Sequence, residues 1–544
     1  MISLHRALLS ESVLVAVLAL TAPSVNADAP PFLWLITPHG EGAEVARGIA
    51  ADSGGNTYTV ATFTSTNLDF RGGISLTNSN PSSSSPKNSF IVKYSSNGNL
   101  LWVKRLGGSD NISANAIALD SQTNLYITGS FGTNLVIESI TVTNHSAPGN
   151  AGIFTAKFDS SGNPLWIRTA DTGQSQAGSS IAVDAAGNCY VTGNISGTNT
   201  FSGATLISPG ALSILLLKYN SAGTLLWART AGGSNRDTGN AVAAESTGNV
   251  WIAAALASSN SAFANIVLTG TNPGSDIGLA KYDSAGNVLW AERFGGPAVE
   301  TATGIAVDKN GNAYLTGAFG SSNLAFGNIT LTNNYGVPNG ALFLAKFDAY
   351  GNPLWAKGAH GNYNVWSSAV TVDFLGNPYI TGFFQSDWLF FDIIALMNSD
   401  MGLFNDADVF ITKFDPDGNK LWCTQPMGQN EQRAFALAVD PAANTYIAGW
   451  TQGTNVVFGP FSTTNVYLDL FVTKIDSDYP LLQISRTNTS VVVSWPANRP
   501  DFILEFSTNF QNWVPLTAPV LTNPPSKFVT NSTAFPQAFF RLRK

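Results

Sequence analysis

The chain has 544 residues with 51 glycines and 26 prolines, and 44% of its residues are hydrophobic while only 11% are charged. Such a composition is typical of a large β-rich globular protein with many turns, and it excludes a disordered chain. The 27 basic and 35 acidic residues give a net charge of -8, and the only basic cluster is the tail at Arg541, Arg543 and Lys544. We therefore expect no nucleic-acid partner and no attraction to an anionic membrane.

The N-terminus predicts a secretory signal peptide over residues 1–27. His5 and Arg6 precede an apolar run over residues 13–20, and small residues lead to a cleavage point after Ala27. The run is too short to span a bilayer, and no later segment has the roughly 20 apolar residues that a transmembrane helix needs. An uncleaved anchor is the alternative. We expect a mature protein that is secreted, periplasmic or held at the cell surface.

Seven copies of one unit follow. Each has a Leu-Trp pair, and an aromatic residue comes 24 residues after each tryptophan, while all length variation falls between that aromatic and the next repeat. A fixed core with a variable insert is the mark of a repeat architecture. The seven tryptophans are Trp34, Trp102, Trp166, Trp227, Trp290, Trp355 and Trp422, and their aromatic partners are Tyr58, Tyr126, Tyr190, Trp251, Tyr314, Tyr379 and Tyr446.

Each repeat predicts two β-hairpins. In the fifth copy an alternating run from Gly304 turns at Asn310 and Gly311 and returns through Tyr314, and a second run turns at Gly351 into the strand of Trp355. Four short strands in each of seven repeats specify radially stacked four-stranded sheets, which is a seven-bladed β-propeller over residues 28–478. We expect the hairpin turns at one end of the ring and the variable inserts at the other.

The two ends of the repeat region complement each other. Only the last strand of a repeat, with Trp34, precedes the first full copy, and the seventh copy lacks a Leu-Trp strand after Asp476. The N-terminal strand is therefore expected to complete the seventh blade, which removes an open sheet edge.

The repeat resembles a bacterial secreted family of seven-bladed β-propeller repeats, whose units combine a G-x-A-x-D-x-x-G-N-x-Y-x-T-G half with a K-x-D-x-x-G half. The resemblance covers about residues 31–478. The unit from Lys281 to Trp290 is also similar to the tryptophan-docked blade of pyrroloquinoline quinone enzymes. Its Asp-to-Gly spacing is one residue shorter than in those enzymes and the vicinal cysteines are missing, so we expect no cofactor.

Polar residues that recur in every repeat are interpreted as structural. An acidic residue sits at each first turn and a lysine lies nine residues before each tryptophan position, so turn capping and ion pairing explain both. The tryptophans are expected to pack between blades. The acidic residues are Asp52, Asp120, Asp184, Glu245, Asp308, Asp373 and Asp440, and the lysines are Lys93, Lys157, Lys218, Lys281, Lys346, Lys413 and Lys474.

Candidate catalytic or metal-binding residues are few. His39 and His360 share one repeat position, five residues after a tryptophan, but two loop histidines do not supply a metal site. The segment from Asp415 to Asn419 resembles the start of a calcium loop but lacks the later carboxylate. Cys189 and Cys423 fall in different blades and are expected to be free buried thiols; an intermolecular bridge is the alternative. No metal is expected.

An aromatic group breaks the repeat symmetry on blades six and seven. Trp366, Phe383, Trp388 and Trp450 do not recur in the other copies and are assigned to the end that carries the inserts. We expect Trp366 to precede the first strand of blade six and Trp450 to end the second strand of blade seven. Clustered aromatic side chains can stack on sugar rings or hold a protein partner. The alternative is a small satellite core beneath the blade-six insert.

A separate unit over residues 480–544 is predicted to be a small β-sandwich. Its expected strands are Leu481 to Ile484, Ser490 to Trp495, Phe502 to Phe506, Trp513 to Leu516, Lys527 to Val529 and Phe539 to Leu542. It resembles terminal modules of secreted bacterial proteins, loosely like fibronectin type III. Together these patterns predict a non-catalytic, monomeric scaffold that binds an extracellular protein or glycan through the insert face. A propeller enzyme, such as a hydrolase, a lyase or a quinone oxidoreductase with a site at the central channel, is the alternative.

Overall fold

The computed structural model describes most of the chain as β-structure. The described residues are 30–79, 87–270, 274–333, 340–391, 394–399, 406–476, 483–486, 490–496, 503–507, 514–516, 520–523, 526–532 and 539–543. Pro31–Ser477 forms one compact unit, and Asp478–Lys544 belongs to another. The predicted signal peptide lies outside the described residues, as does Trp513 in the C-terminal part.

The first three repeats each form an antiparallel four-stranded core with an inserted hairpin. The strands before and within them are β1 (Phe32–Ile36), β2 (His39–Gly40), β3 (Glu44–Ala51), β4 (Thr57–Phe63), β5 (Asn67–Asp69), β6 (Ser75–Thr77), β7 (Asn88–Tyr94), β8 (Leu100–Gly107), β9 (Ile112–Leu119), β10 (Leu125–Phe131), β11 (Asn134–Ile137), β12 (Ile140–Thr143), β13 (Gly152–Phe158), β14 (Pro164–Thr169), β15 (Gln176–Val183), β16 (Cys189–Ile195), β17 (Thr198–Phe201), β18 (Ala204–Ile207), β19 (Ser213–Tyr219) and β20 (Leu225–Ala231).

The later repeats follow the same plan, and in the seventh the second and third strands run on into the insert. Their strands are β21 (Asp237–Ala244), β22 (Val250–Leu256), β23 (Asn260–Phe263), β24 (Ile266–Thr269), β25 (Asp276–Tyr282), β26 (Val288–Phe294), β27 (Glu300–Val307), β28 (Ala313–Phe319), β29 (Asn323–Phe326), β30 (Ile329–Thr332), β31 (Ala341–Phe347), β32 (Pro353–His360), β33 (Val365–Val372), β34 (Pro378–Phe384), β35 (Trp388–Phe391), β36 (Ile394–Met397), β37 (Asp408–Phe414), β38 (Lys420–Thr424), β39 (Gln432–Val439), β40 (Thr445–Phe458) and β41 (Phe461–Ile475).

The sheets are arranged as a β-propeller, so the expectation of an all-β propeller fold is confirmed. The described residues contain eight sheets of four or more strands, of which seven lie in Pro31–Ser477 and the eighth lies in the C-terminal unit. The first strand of each repeat lies beside the first strand of the next, in the order β3, β9, β15, β21, β27, β33 and β39, and β39 lies beside β3 again. We number the repeats from blade one, which begins with β3, to blade seven, which begins with β39.

The N-terminal strand completes blade seven. β1 pairs with β41, with Trp34 opposite Lys474, so the sheet order is β1-β41-β40-β39. Trp34 therefore occupies the position that the missing Leu-Trp strand would fill, and Thr473 Oγ1 donates a hydrogen bond of 2.6 Å to its carbonyl. The pairing is the one expected from the vacant strand in the sequence.

The inserts are folded hairpins that connect neighbouring blades. β11 pairs with β8 of blade one, β35 pairs with β32 of blade five, and single bridges such as Thr172 to Thr200 and Gly232 to Ala262 make the equivalent link elsewhere. Each of these hairpins thus extends the outer strand of the preceding blade. The inserts vary in length, but the part of each insert nearest the ring is a β-hairpin.

The C-terminal unit consists of two antiparallel sheets. One has the order β42-β43-β47-β46 and the other β45-β44-β48. Val493, Leu504 and Val529 are buried. Its strands are β42 (Gln483–Arg486), β43 (Ser490–Pro496), β44 (Ile503–Ser507), β45 (Val514–Pro515), β46 (Leu521–Asn523), β47 (Ser526–Ser532) and β48 (Phe539–Arg543).

The two cysteines do not pair. Both are free and buried, and burial raises the pKa of each thiol to about 12, so both remain protonated at neutral pH. The prediction of free buried thiols is confirmed for Cys189 and Cys423. Among the described residues, no helix is long and apolar enough to cross a membrane.

Candidate functional site

The repeated acidic residues close the first hairpin turns. Asp308 Oδ1 accepts hydrogen bonds from the amides of Asn310 and Asn312 at 2.9 and 3.0 Å, and its Oδ2 accepts from Asn312 Nδ2 and the Tyr314 hydroxyl. The same pattern recurs at Asp52, Asp120, Asp184 and Asp373. These carboxylates use their oxygens on the turn, which confirms the structural interpretation.

The repeated tryptophans join each blade to the next. The indole Nε1 of Trp102 donates to the Ser160 carbonyl at 3.3 Å and that of Trp227 to the Ser284 carbonyl at 3.1 Å, in each case in the second turn of the following blade. The glycine of that turn lies against the ring: a Cβ on Gly286 would be 2.8 Å from Trp227 Cδ2. The tryptophans are therefore packing residues between blades, as predicted.

One cross-strand pair distinguishes blades six and seven from the others. It joins the second residue of a first strand to the sixth residue of the second strand. In blade six this pair is Trp366 with Phe383, and in blade seven it is Arg433 with Trp450. The other five blades have small or short side chains: Val45 with Thr62, Ser113 with Ser130, Ala177 with Asn194, Thr238 with Ala255, and Thr301 with Ala318.

These large side chains form one cluster. The rings of Trp366 and Phe383 have centroids 5.1 Å apart, and the Arg433 guanidinium carbon lies 4.6 Å from the Phe383 centroid and 5.6 Å from the Trp450 centroid. Phe435 completes the group at 6.1 Å from Phe383. We call these five residues the aromatic-arginine cluster. Both cation-π distances fall within the range of an attractive interaction.

The cluster has a buried base and a partly exposed top. Phe383 and Trp450 each keep only 7% of their surface exposed, whereas Trp366 is half-buried and the Arg433 side chain retains 29% exposure. Arg433 Nη2 also forms an ion pair with Glu431 Oε1. Phe383 and Trp450 therefore support the cluster, while Trp366 and Arg433 offer the accessible surface.

Two sequence expectations about these residues need correction. Trp366 does not precede the first strand of blade six but is its second residue, and Trp450 lies in the middle of β40, because that strand continues into the insert. The sequence interpretation also left out Arg433, which a position-by-position alignment of the repeats would have placed opposite Trp450.

Trp388 does not belong to the cluster. It opens β35 and lies beside His360 of blade five, with ring centroids 6.4 Å apart, and its ring is 4.7 Å from that of Phe390. Burial lowers the pKa of His360, so its imidazole is neutral at neutral pH. His360 also lines a cavity of about 250 Å³ between β32 and the hairpin of β29 and β30. The four predicted site residues thus occupy two separate places.

The other histidine at this repeat position lies in a polar group where the first and last blades meet. His39 Nδ1 is 3.0 Å from Asp469 Oδ2, and Asp469 also accepts a hydrogen bond from the Gly40 amide. Glu44 is fully buried beside Asp469 and accepts a hydrogen bond from the Ser65 hydroxyl. Burial, together with the neighbouring Asp469, raises the pKa of Glu44 to about 7.

We call His39, Glu44 and Asp469 the seam group, and the charges of its two carboxyl groups explain its arrangement. Burial also raises the pKa of Asp469, so the two carboxyl groups favour a shared proton over two negative charges. His39 contacts Asp469 through Nδ1, and its side chain is 62% exposed. The sequence interpretation identified His39 but missed Glu44 and Asp469, which are 425 positions apart in the numbering.

Comparison with known proteins supports the fold. A family profile described as SBBP, "Beta-propeller repeat", matches residues 101–130 and 289–318. An uncharacterized WD repeat-containing protein of Acanthamoeba polyphaga mimivirus is 24% identical over 438 residues, which cover 66% of this chain and 31% of that protein. The regulatory protein FlaEY of Caulobacter vibrioides is 30% identical over 183 residues, which cover 32% of this chain and 19% of that protein. The chain therefore spans a third or less of these relatives.

Two solved structures are similar to this chain over most of its length. The WD40 domain of Neurospora crassa Pan2 is 8% identical with a TM-score of 0.40, covering 83% of this chain and 97% of that one. A puromycin hydrolase is 11% identical with a TM-score of 0.41, covering 84% of this chain and 59% of that one.

Proposed function

We propose that this chain is a secreted, non-catalytic binding protein: a closed ring of seven blades with an appended C-terminal β-sandwich. The order of contacts among the first strands supports the ring of seven, since the eighth sheet of four or more strands belongs to the other unit. The signal-peptide pattern of residues 1–27 supports export. In this proposal the end of the ring that carries the insert hairpins contacts an extracellular polysaccharide or protein partner.

The aromatic-arginine cluster carries this proposal. The side chains at this register position are small or short in five blades and large in two adjacent blades. The sevenfold scaffold therefore does not require the large ones. Structural residues of this protein recur in every blade, whereas the cluster is local. Trp366 provides a flat apolar surface, and Arg433, which contacts the Phe383 ring that packs on Trp366, provides N–H donors for hydroxyl or carboxylate oxygens.

The proposal is tested by binding measurements on the mature chain. A glycan array of neutral and acidic polysaccharides identifies the ligand class, and a pull-down with extracellular proteins tests the protein alternative. We expect Trp366→Ala and Arg433→Ala each to weaken binding at least tenfold. Tyr350→Ala is the matched control, because this aromatic residue is 82% exposed at a hairpin turn on the opposite end. Equal affinity of the two variants and the control would contradict the proposed site.

A propeller enzyme is the second candidate, and the seam group is the observation that favours it. His39, oriented by the buried Asp469, has the arrangement of a general base, and Glu44 is a carboxyl group with a pKa near neutrality. The test is a panel of hydrolase and lyase substrates with the wild-type chain and His39→Ala. Turnover that disappears in the variant would replace the binding proposal with an enzymatic one.

A further inference from the structure

The cavity beside His360 exists because blade five lacks two side chains that fill the same place elsewhere. Its volume is about 250 Å³, and its walls include Phe319, Leu331, Thr332, Ala341 and Gly358. A Cβ on Gly358 would meet no atom closer than 3.7 Å, and this glycine does not have a positive φ. Neither the backbone conformation nor the surrounding atoms therefore require a glycine at position 358, where the cavity lies.

The position of Gly358, three residues after the repeat tryptophan, is occupied by an arginine or glutamine side chain in three other blades. In blade one Arg105 Nη1 donates to the Thr77 carbonyl at 2.9 Å, and in blade six Gln425 Nε2 donates to the Met397 carbonyl at 2.7 Å. Thr77 and Met397 end the second insert strand, as Thr332 does in blade five. Blade five therefore has the acceptor position of this contact without its donor.

Blade four shows a guanidinium in the same place. Arg293 donates to Asp276 Oδ2 at 2.5 Å, and its terminal nitrogens donate to the Ser258 carbonyl at 2.7 Å and the Leu256 carbonyl at 3.3 Å. The blade-five counterparts of Arg293 and Asp276 are Gly358 and Ala341. Truncation of both partners of this ion pair leaves room for an arginine side chain.

The repeat positions whose carbonyls accept from Arg293 in blade four have counterparts in blade five. Phe319 and Ser321 occupy the repeat positions of Leu256 and Ser258, and Phe319 lines the cavity. A neutral His360 adds no positive charge, and the rings of Trp388 and Phe390 pack against His360. Carbonyl oxygens and aromatic faces are the groups that receive a guanidinium in the absence of a carboxylate.

We propose that this cavity receives the guanidinium of an arginine side chain from a partner polypeptide. The volume suits one side chain, since it is just below the usual range of pockets for small molecules. The chain itself supplies the pattern for the contact in blades one and four, where its own arginines fill the position. This site is separate from the aromatic-arginine cluster and does not rest on the function proposed for it.

The test uses blocked tripeptides with a central arginine, citrulline or lysine. Citrulline keeps the planar N–H groups without the charge, and lysine keeps the charge without the planar group. Binding is followed by NMR, with the Trp388 indole N–H as the reporter. We expect the arginine peptide to bind at least tenfold more tightly than the other two. Equal binding of citrulline, or absence of arginine binding, would overturn the proposal.

Variants locate the site. Gly358→Arg should place an internal guanidinium in the cavity, and Gly358→Leu should fill it without charge, so both should abolish peptide binding while Tyr350→Ala leaves it unchanged. Arg105→Gly should open the equivalent place in blade one and raise the stoichiometry from one peptide to two. Binding that survives both Gly358 variants, or a stoichiometry that stays at one in folded Arg105→Gly protein, would contradict the assignment.

Discussion

The indole Nε1 of Trp34 donates a hydrogen bond of 3.0 Å to the carbonyl of Ser96, across the join between blade seven and blade one. The same indole faces Gly98, whose Cβ would lie 3.1 Å from the ring. Trp34 thus makes the contact that Trp102, Trp166, Trp227 and Trp355 make with the next blade, although it lies before the first complete repeat in the sequence.

Removal of the N-terminal strand should therefore open the ring. Deletion of residues 28–39 removes β1 and the buried Trp34, and we expect the free energy of unfolding to fall by about 3–5 kcal/mol, as for loss of a buried aromatic side chain. Calorimetric melting measures the effect. Leu33→Ala is the control, because Leu33 is 40% exposed in the same strand and should cost much less. A deletion variant that melts like the parent would contradict closure by this strand.

The stability of the seam should depend on pH through Glu44. Its pKa is about 7 in the folded chain against an ordinary value of 4.5, so between these pH values the folded state binds more protons than the unfolded state. Stability is then highest below pH 4.5 and decreases as the pH rises to 7, by on the order of 2 kcal/mol for this group. Denaturant unfolding at a series of pH values measures the trend.

Glu44→Gln is the matched variant for this pH dependence. Gln176 and Gln432 occupy the same register position in blades three and seven, so the scaffold accommodates the amide. We expect the variant to lose the decrease between pH 4.5 and 7 and to be the more stable protein at pH 8. Parallel stability curves for the two proteins would show that Glu44 does not bind the proton.

Blade four contains a paired exchange that a double-mutant cycle can measure. Glu245 and Trp251 replace the Asp and Tyr of the other blades, and Trp251 Nε1 donates to Glu245 Oε1 at 2.8 Å. Glu245→Asp shortens the side chain, so its carboxylate should no longer reach the buried indole N–H. We expect the unpaired N–H to lower the free energy of unfolding by about 1–3 kcal/mol. Trp251→Tyr alone should also destabilise the fold, whereas the double variant restores the usual pair and should recover at least 1 kcal/mol. Additive losses would contradict coupling.

The glycine of each second turn should be sensitive for two separable reasons. Gly286 has a φ of 80°, and its Cβ would lie 2.8 Å from Trp227. Gly149 has a φ of 82° but no atom within 4 Å of its Cβ, so it has the backbone strain without the clash. We expect Gly149→Ala to cost about 1 kcal/mol and Gly286→Ala about 1–3 kcal/mol more, measured by thermal unfolding. Equal costs would show that the tryptophan can move aside.

The sequence was most informative where contacts are local or recur. The constant spacing from Trp290 to Tyr314, the turn carboxylates and the vacant strand after Asp476 determined a propeller of tryptophan-docked blades completed by the N-terminal strand. These features were readable because register within a hairpin depends on residues a few positions apart, and seven copies repeat the same solution.

Tertiary structure decided which of the non-repeating residues meet. Trp366 and Trp388 are 22 residues apart in sequence but belong to different groups, because β35 pairs with the preceding blade. Arg433 joins Trp366 only because neighbouring first strands lie side by side, and the cavity arises only when Ala341 and Gly358 are brought together beneath an insert hairpin. Contacts between blades join residues that are one full repeat apart. The alternation of hydrophobic and polar residues determines which face of a strand is buried. It does not specify which side chains of the next blade that face contacts.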